Sequence, residues 1–167
     1  MRPSIIFGPE DSFFNRFARM AQLFPVLPLI GGGQTRFQPV YVGDIAEAFV
    51  RALQDPAAGR TYELGGPRVY TFKELMELVL AQTGRNRFLC NLPFGLAALQ
   101  GAILERLPGG KTLLTRDQVE LLKRDNVVAA GAPGLAELGI APTPAEAIIP
   151  TYLDIYRRGG RFTRRAA

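Results

Sequence analysis

The spacing of apolar positions changes period inside one short stretch, Gln38 to Leu53. Val40, Tyr41 and Val42 form a β-branched and aromatic run, the composition of a strand that needs a sheet neighbour, whereas Ile45, Ala46, Phe49, Val50 and Leu53 recur at helical spacing. A strand is expected to run straight into a helix here. Asp44 stands at the joint, where a carboxylate can accept the orphan N–H groups of a first turn, and Glu47 three positions on completes a capping box.

The same reading covers the rest of the chain. Ser4 to Phe7 is a short apolar run closed by the turn pair Gly8-Pro9, after which Asp11 or Ser12 caps a helix over Phe13 to Leu23. Pro25 and Pro28 stop that helix and hold Val26-Leu27 extended. The triple glycine Gly31-Gly32-Gly33 has the composition of a phosphate cradle, but such a loop needs a helix after it, and Gln34-Thr35-Arg36 lead into a strand. It is read as a turn between two extended segments. Asp55 to Arg60 is a loop, and Thr61 to Leu64 and Val69-Tyr70 are short strands. Thr71 and Glu74 frame a capping box for a helix that Gly84 ends, and Phe88 to Leu92 is a further strand. An apolar helix from Pro93 to Leu107 follows, then one capped by Thr115 with Gln118 as partner. Asn126-Val127-Val128 is extended and Leu135 to Leu138 makes a turn or two before Gly139. Thr143 with Glu146 opens a final helix, Pro144 to Arg158, which Pro150 kinks.

Composition narrows the chemistry. The 167 residues are 47% hydrophobic, enough for one domain with a core, and contain no histidine and a single cysteine. Internal disulfides, zinc clusters and histidine-based triads are thereby excluded. Cys90 is read as a small hydrophobe buried between Leu89 and Leu92. The formal charge of +5 is concentrated at the end, where Arg157, Arg158, Arg161, Arg164 and Arg165 fall in the last eleven residues. No aromatic ladder accompanies them, which argues against nucleic acid and leaves a solvated tail or contact with acidic lipid. No secretory signal precedes Asp11, since Pro and acidic residues interrupt any apolar run, so a cytoplasmic location is expected. No run reaches the roughly 18 apolar residues of a spanning helix; Leu92 to Leu107 is a core helix or lies against a membrane or partner.

Two motifs carry a resemblance. Arg2-Pro3-Ser4-Ile5-Ile6-Phe7-Gly8-Pro9 is similar to the R-P-x-x-x-[FY]-G-P stretch, and Val40-Tyr41-Val42-Gly43-Asp44-Ile45-Ala46 to the V-[HY]-V-x-D-[VI]-A stretch, of extended or atypical short-chain dehydrogenases/reductases, the superfamily of the NAD-dependent epimerases and dehydratases. Tyr62 to Pro67 resembles the family's Y-x-[LIV]-G-G-P. Thr115 to Ile148, with T-x-D-Q-V, L-x-x-D-N-V-V and L-G-I-x-P-T, looks like the branch that contains the dehydrogenase-fold accessory subunit of respiratory complex I.

The resemblance implies an α/β fold: the distal, C-terminal portion of an NAD(P)-binding Rossmann domain with its small substrate-side subdomain, the Gly-rich N-terminal half being absent. Residues 1–55 would end the Rossmann sheet and carry pocket loops, 56–158 would form the helical subdomain and 159–167 a basic tail. By family position Pro3, Ser4 and Ile5 would meet the ribose and nicotinamide end of NADP(H) or NAD(H), while Phe7, Gly8, Phe14 and Tyr41 would line the substrate side. For each a structural role competes: Pro3 and Gly8-Pro9 shape turns, Phe14 is core, and Tyr41 packs on the sheet or closes a pocket. The region of the triple glycine would carry a short hairpin.

What the chain lacks matters as much. No Gly-rich turn joins a strand to a following helix, and none of Tyr41, Tyr62, Tyr70, Tyr152 and Tyr156 has a lysine four residues on, the family's acid pair. By itself the chain is expected to bind no dinucleotide and to be no oxidoreductase. Its expected partners are the absent Rossmann half and respiratory complex I subunits, with a peripheral contact on the cytoplasmic face of the inner membrane. A fragment of an NAD(P)-dependent epimerase, dehydratase or reductase is the alternative. Either way Ser4 to Phe7 and Val40 to Val42 should show exposed apolar surface.

Overall fold

The computed structural model describes residues 1–54, 59–96 and 120–160. In chain order the elements are β1 (Arg2–Pro3), β2 (Ile6–Phe7), α1 (Phe13–Leu23), β3 (Val26–Ile30), a 3-10 turn at Gly31–Gly33, β4 (Arg36–Phe37), β5 (Val40–Tyr41), α2 (Val42–Gln54), β6 (Glu63–Leu64), β7 (Tyr70–Thr71), α3 (Phe72–Thr83), β8 (Phe88–Leu92), α4 (Ala145–Tyr152) and a closing 3-10 turn, Leu153–Tyr156. The loop at 55–58, most of the expected Pro93 to Leu107 helix, the start of the helix expected after Thr115 and the tail at 161–167 lie outside the described residues.

The strands pair two by two. β1 with β6, β2 with β5 and β3 with β8 are parallel; β4 with β7 is antiparallel. Parallel pairs require long crossovers, and helices α1, α2 and α3 lie within them. The expected hairpin around the triple glycine is not formed: β3 and β4 each pair elsewhere. All three glycines have positive φ, between 62° and 73°, and this left-handed turn redirects the chain from one pairing to the other.

Most helix ends follow the expected chemistry. α1 spans Phe13–Leu23, and the Asp11 carboxylate, not Ser12, accepts the N–H groups of Phe14 and Asn15. α3 has the full capping box, Thr71 with Glu74, and ends on Gly84 in the left-handed conformation at φ 61°. The backbone N–H and hydroxyl of Thr71 hold the Glu74 carboxyl below its ordinary range. β8 matches the expected Phe88 to Leu92.

Two caps differ. α2 begins at Val42, directly after β5, so Asp44 sits inside the first turn; its carboxylate reaches across the molecule to accept the N–H and hydroxyl of Thr143 at 2.7 and 2.8 Å. Glu47 pairs with Arg51 instead. Because Thr143 is engaged there, it does not cap α4, which starts at Ala145 after Pro144, and Glu146 accepts the Tyr70 hydroxyl at 2.6 Å. The last helix, expected to run to Arg158 with a kink at Pro150, is shorter: α4 carries Pro150 inside it, ends at Tyr152 and tightens into the 3-10 turn.

The main core packs α1, α3, β3 and the closing 3-10 turn around Phe7, Phe14, Leu27, Ile30, Phe72 and Leu153. Phe72 lies edge-on to Phe17 at 5.4 Å and to Phe13 at 6.1 Å, each such pair adding about 0.5–1.5 kcal/mol beyond burial. A smaller core joins Val40, Ile45, Ala48 and Leu64 to Leu135, Leu138 and Ile140.

Three burial expectations are corrected. Cys90 is exposed, because it shares its strand face with Phe88, which is 80% exposed. The apolar exposure expected along both short runs is divided, since β2 and β5 pair with each other: Phe7 and Val40 are fully covered, Ile6 and Val42 are not. Finally, α2 buries Ile45 and Ala48 but leaves Phe49, Val50 and Leu53 outside, with Leu53 at 88%. Val42, Ala46, Phe49 and Leu53 follow at intervals of four, three and four, so the bare residues form one stripe along the helix.

Candidate functional site

An open groove of about 450 Å³ runs beside the end of β2, lined by Ile6, Phe7, Gly8, Pro9, Glu10, Asp11, Ser12 and Val42. It exists because β2 stops at the Gly8-Pro9 turn and the chain rises into α1, while α2 begins one residue after β5. A Cβ on Gly8 would lie 2.7 Å from the Val42 Cγ1, so glycine there lets β2 approach the start of α2.

Of the residues expected on the substrate side, Phe7 and Gly8 line this groove. Phe14 is fully buried beneath it, 6.0 Å from Phe7 and edge-on, and Tyr41 lies 5.7 Å from Phe7 at its side. The three residues expected toward the dinucleotide sit elsewhere, along the β1–β6 pair. Pro3 is paired with Leu64; the Ser4 N–H donates to the Leu64 carbonyl and its hydroxyl to the Asn126 carbonyl at 2.6 Å; the Ile5 carbonyl accepts the Val40 N–H. Their polar groups are thus largely spent on the fold.

A pyrophosphate needs converging N–H groups, typically at a helix N-terminus. At α1 those groups are taken by the Asp11 carboxylate and at α3 by the capping box. The groove itself carries Glu10 and Asp11 and no lysine or arginine. Neither of these two helix N-termini offers a pyrophosphate free N–H groups, and the groove lining offers it no cation. Among the described residues there is also no cluster of His, Cys, Asp or Glu that could hold a metal ion, and no helix long and apolar enough to cross a membrane.

Asp11 is the groove residue that a capping argument alone understates. Besides capping α1, it accepts the Tyr152 hydroxyl at 2.7 Å, and Tyr156 donates to Asn15 at 2.9 Å, so the last elements of the fold are fastened to the groove wall. Burial pushes the Asp11 carboxyl above its ordinary value, against the lowering effect of its hydrogen bonds, and burial with the neighbouring Asp11 pushes the Tyr152 phenol up. The only sequence signal was Asp11's place just past Gly8-Pro9.

The sign of the resulting pH dependence is fixed. A carboxyl whose folded pKa is raised above 3.8 binds more protons in the folded state, so its contribution is greatest below 3.8 and is lost as pH rises through the folded value. Thermal melts of the chain and of Asp11→Asn between pH 4 and 7 should show the wild-type advantage shrinking as pH rises. Asp11→Ala should cost about 2–4 kcal/mol, the sum of a lost cap and an unpartnered Tyr152 hydroxyl.

Residues 1–65 match the NAD dependent epimerase/dehydratase family. The solved dTDP-glucose 4,6-dehydratase DesIV of Streptomyces venezuelae, described with NAD and TYD bound, superposes with a TM-score of 0.58 at 20% identity over 93% of this chain and 42% of that one. The UDP-glucose 4-epimerase of Thermotoga maritima does so with a TM-score of 0.58 at 16% identity over 93% and 44%. Residues 1–65 thus carry an epimerase/dehydratase-type domain of the short-chain dehydrogenase/reductase superfamily, and the chain has the Rossmann-type α/β fold of these structures.

A narrower kinship follows from curated relatives. NADH dehydrogenase [ubiquinone] 1 alpha subcomplex subunit 9, mitochondrial, is 36% identical in Arabidopsis thaliana over 96% of this chain and 42% of the relative, and 36% identical in Mus musculus over 87% and 39%. The NADH-ubiquinone oxidoreductase 40 kDa subunit, mitochondrial, of Neurospora crassa is 28% identical over 94% and 41%. The chain thus spans about two-fifths of the length of the relatives it matches.

Proposed function

We propose that these residues are the distal half of a dinucleotide-holding subunit, completed by a Gly-rich Rossmann half, which binds NADP(H) or NAD(H) without turnover and associates with the NADH:ubiquinone oxidoreductase. The observation that carries this reading is the bare apolar stripe of α2 from Val42 to Leu53, with the exposed Ile6 on the paired strand β2: an apolar surface of this kind is what a covering half would bury. The names of the relatives supply the assembly, and the NAD named with the dehydratase supplies the ligand class. A non-catalytic role is supported by the acidic groove, whose lining offers no cation to the diphosphate of a nucleotide sugar.

An enzyme fragment is the second reading, favoured by the family match over residues 1–65. The chemistry separates the two. A covering half that brings both a Gly-rich turn and a tyrosine with its lysine makes an enzyme; one that brings the turn alone makes a binding subunit.

Two experiments test the proposal. Calorimetric titration of the 167-residue chain with NADPH and NADH should give no binding heat; micromolar affinity from these residues alone would refute the division of labour. Affinity purification of the protein from its own membranes should recover NADH dehydrogenase subunits, and a preparation free of them would remove the assembly.

A further inference from the structure

Far along the main core from the groove, one end of the molecule combines apolar exposure with positive charge. α1 must stop before Pro25, and the residues from its last, Leu23, to Val26 are all exposed, Leu23 at 66%. Phe88, at 80%, stands opposite Val26 in the parallel β3–β8 register, so the two strands present their apolar ends together. An exposed leucine needs no explanation; contiguous exposed Leu, Phe, Pro and Val beside a nearly bare Phe do.

Arginines surround this tip. The Arg87 guanidinium donates to the Ala21 carbonyl at 2.8 Å, at the end of α1, and that of Arg85 to the Tyr156 carbonyl at 3.1 Å, at the end of the closing turn. These bonds, with a longer one from Arg87 to the Asn86 carbonyl, account for one of the five N–H groups of Arg85 and two of those of Arg87. They do not account for the crowding: burial first, and then the charges of Arg87 and Arg158, lower the Arg85 pKa. The sequence continues past Gly160 with Arg161, Arg164 and Arg165.

We propose that this end of the molecule is a docking surface for an anionic lipid bilayer, with Leu23, Phe24, Val26 and Phe88 entering the headgroup boundary and Arg85, Arg87 and Arg158 pairing with lipid phosphates. Apolar side chains backed by fixed guanidinium groups match the two layers of a membrane interface, one apolar and one anionic. Nucleic acid would call for stacked aromatic platforms, whereas half of this tip is aliphatic. The surface is separate from the α2 stripe and does not depend on the dinucleotide reading.

The test is co-sedimentation of the 167-residue chain with phosphatidylcholine vesicles, with and without phosphatidylglycerol. Binding is expected only to the anionic vesicles and should weaken with added salt. Arg87→Gln with Arg158→Gln should lower affinity roughly twenty-five-fold, at about fivefold per arginine. Phe88→Ser, which removes a ring that packs on little else and so spares the fold, should lower it about tenfold. Equal binding to neutral vesicles, no binding at all, or no effect of the arginine pair would overturn the proposal. So would a dimer in sedimentation that Phe88→Ser dissolves in the absence of vesicle binding, since the face would then belong to a second copy.

Discussion

Replacing Gly66 by alanine should abolish cooperative unfolding of the chain. A Cβ at this position would fall 2.0 Å from the Pro39 carbonyl oxygen, and a backbone atom cannot rotate away as a side-chain tip can. The two loops would have to part, and Gln38 holds them together: its side-chain N–H donates to the Gly66 carbonyl at 2.8 Å and its Oε1 accepts the Val128 N–H at 3.0 Å. Overpacking costs about 1–3 kcal/mol and each buried polar group left unpaired about 1–3 more, together a large part of the stability of a domain this size. Gly95→Ala is the control, since a Cβ there meets nothing within 4 Å, and it should stay within about 0.5 kcal/mol of wild type. A Gly66→Ala chain that melts as the wild type does would show that the two loops are not locked as described.

Truncating Phe72 to alanine should destabilise the chain by about 3–5 kcal/mol. Phe72 is fully buried and sits among Phe13, Phe17 and Phe37, rings supplied by α1 and β4, so its removal empties the place where α1, α3 and the β4–β7 pair meet. Because the neighbours are themselves ring-bearing and held by other contacts, they cannot collapse into the space. Denaturant unfolding followed by circular dichroism measures the effect; a loss below about 1 kcal/mol would mean that the cluster is not the centre of the core.

Where local chemistry decides, these features were legible from the residues. Asp11 before Phe13, the Thr71/Glu74 box and Gly84 each satisfy backbone groups within one turn, and the helices begin or end where those residues say. Where a partner comes from far along the chain, local spacing misled. Asp44 has the form of a cap, yet Thr143 claims it across 99 positions, and no periodicity reveals that pairing. The glycines of Gly65-Gly66-Pro67 were visible as a motif, but the carbonyl that makes Gly66 necessary belongs to Pro39.

The same limit applies to the groove and to α2. Phe7 and Gly8, which the motif would put on the substrate side of an intact relative, line the groove, while Val42 was read as the end of a strand and proved to be the start of the helix that forms the opposite wall. Helical spacing identified Phe49, Val50 and Leu53 as a face that seeks apolar cover. It could not tell whether the cover lies within these 167 residues, because periodicity reports the need for burial and not its source.

That distinction can be measured directly by thermal unfolding of the 167-residue chain carrying Phe49→Asp together with Leu53→Asp. If the outer face of α2 is a seam awaiting another half, the charged pair stays in solvent, and the melting temperature should match wild type to within the equivalent of about 0.5 kcal/mol. A fall as deep as that of Phe72→Ala would mean that this chain already buries the face itself, and a fold that waits for a nucleotide-holding half would be contradicted.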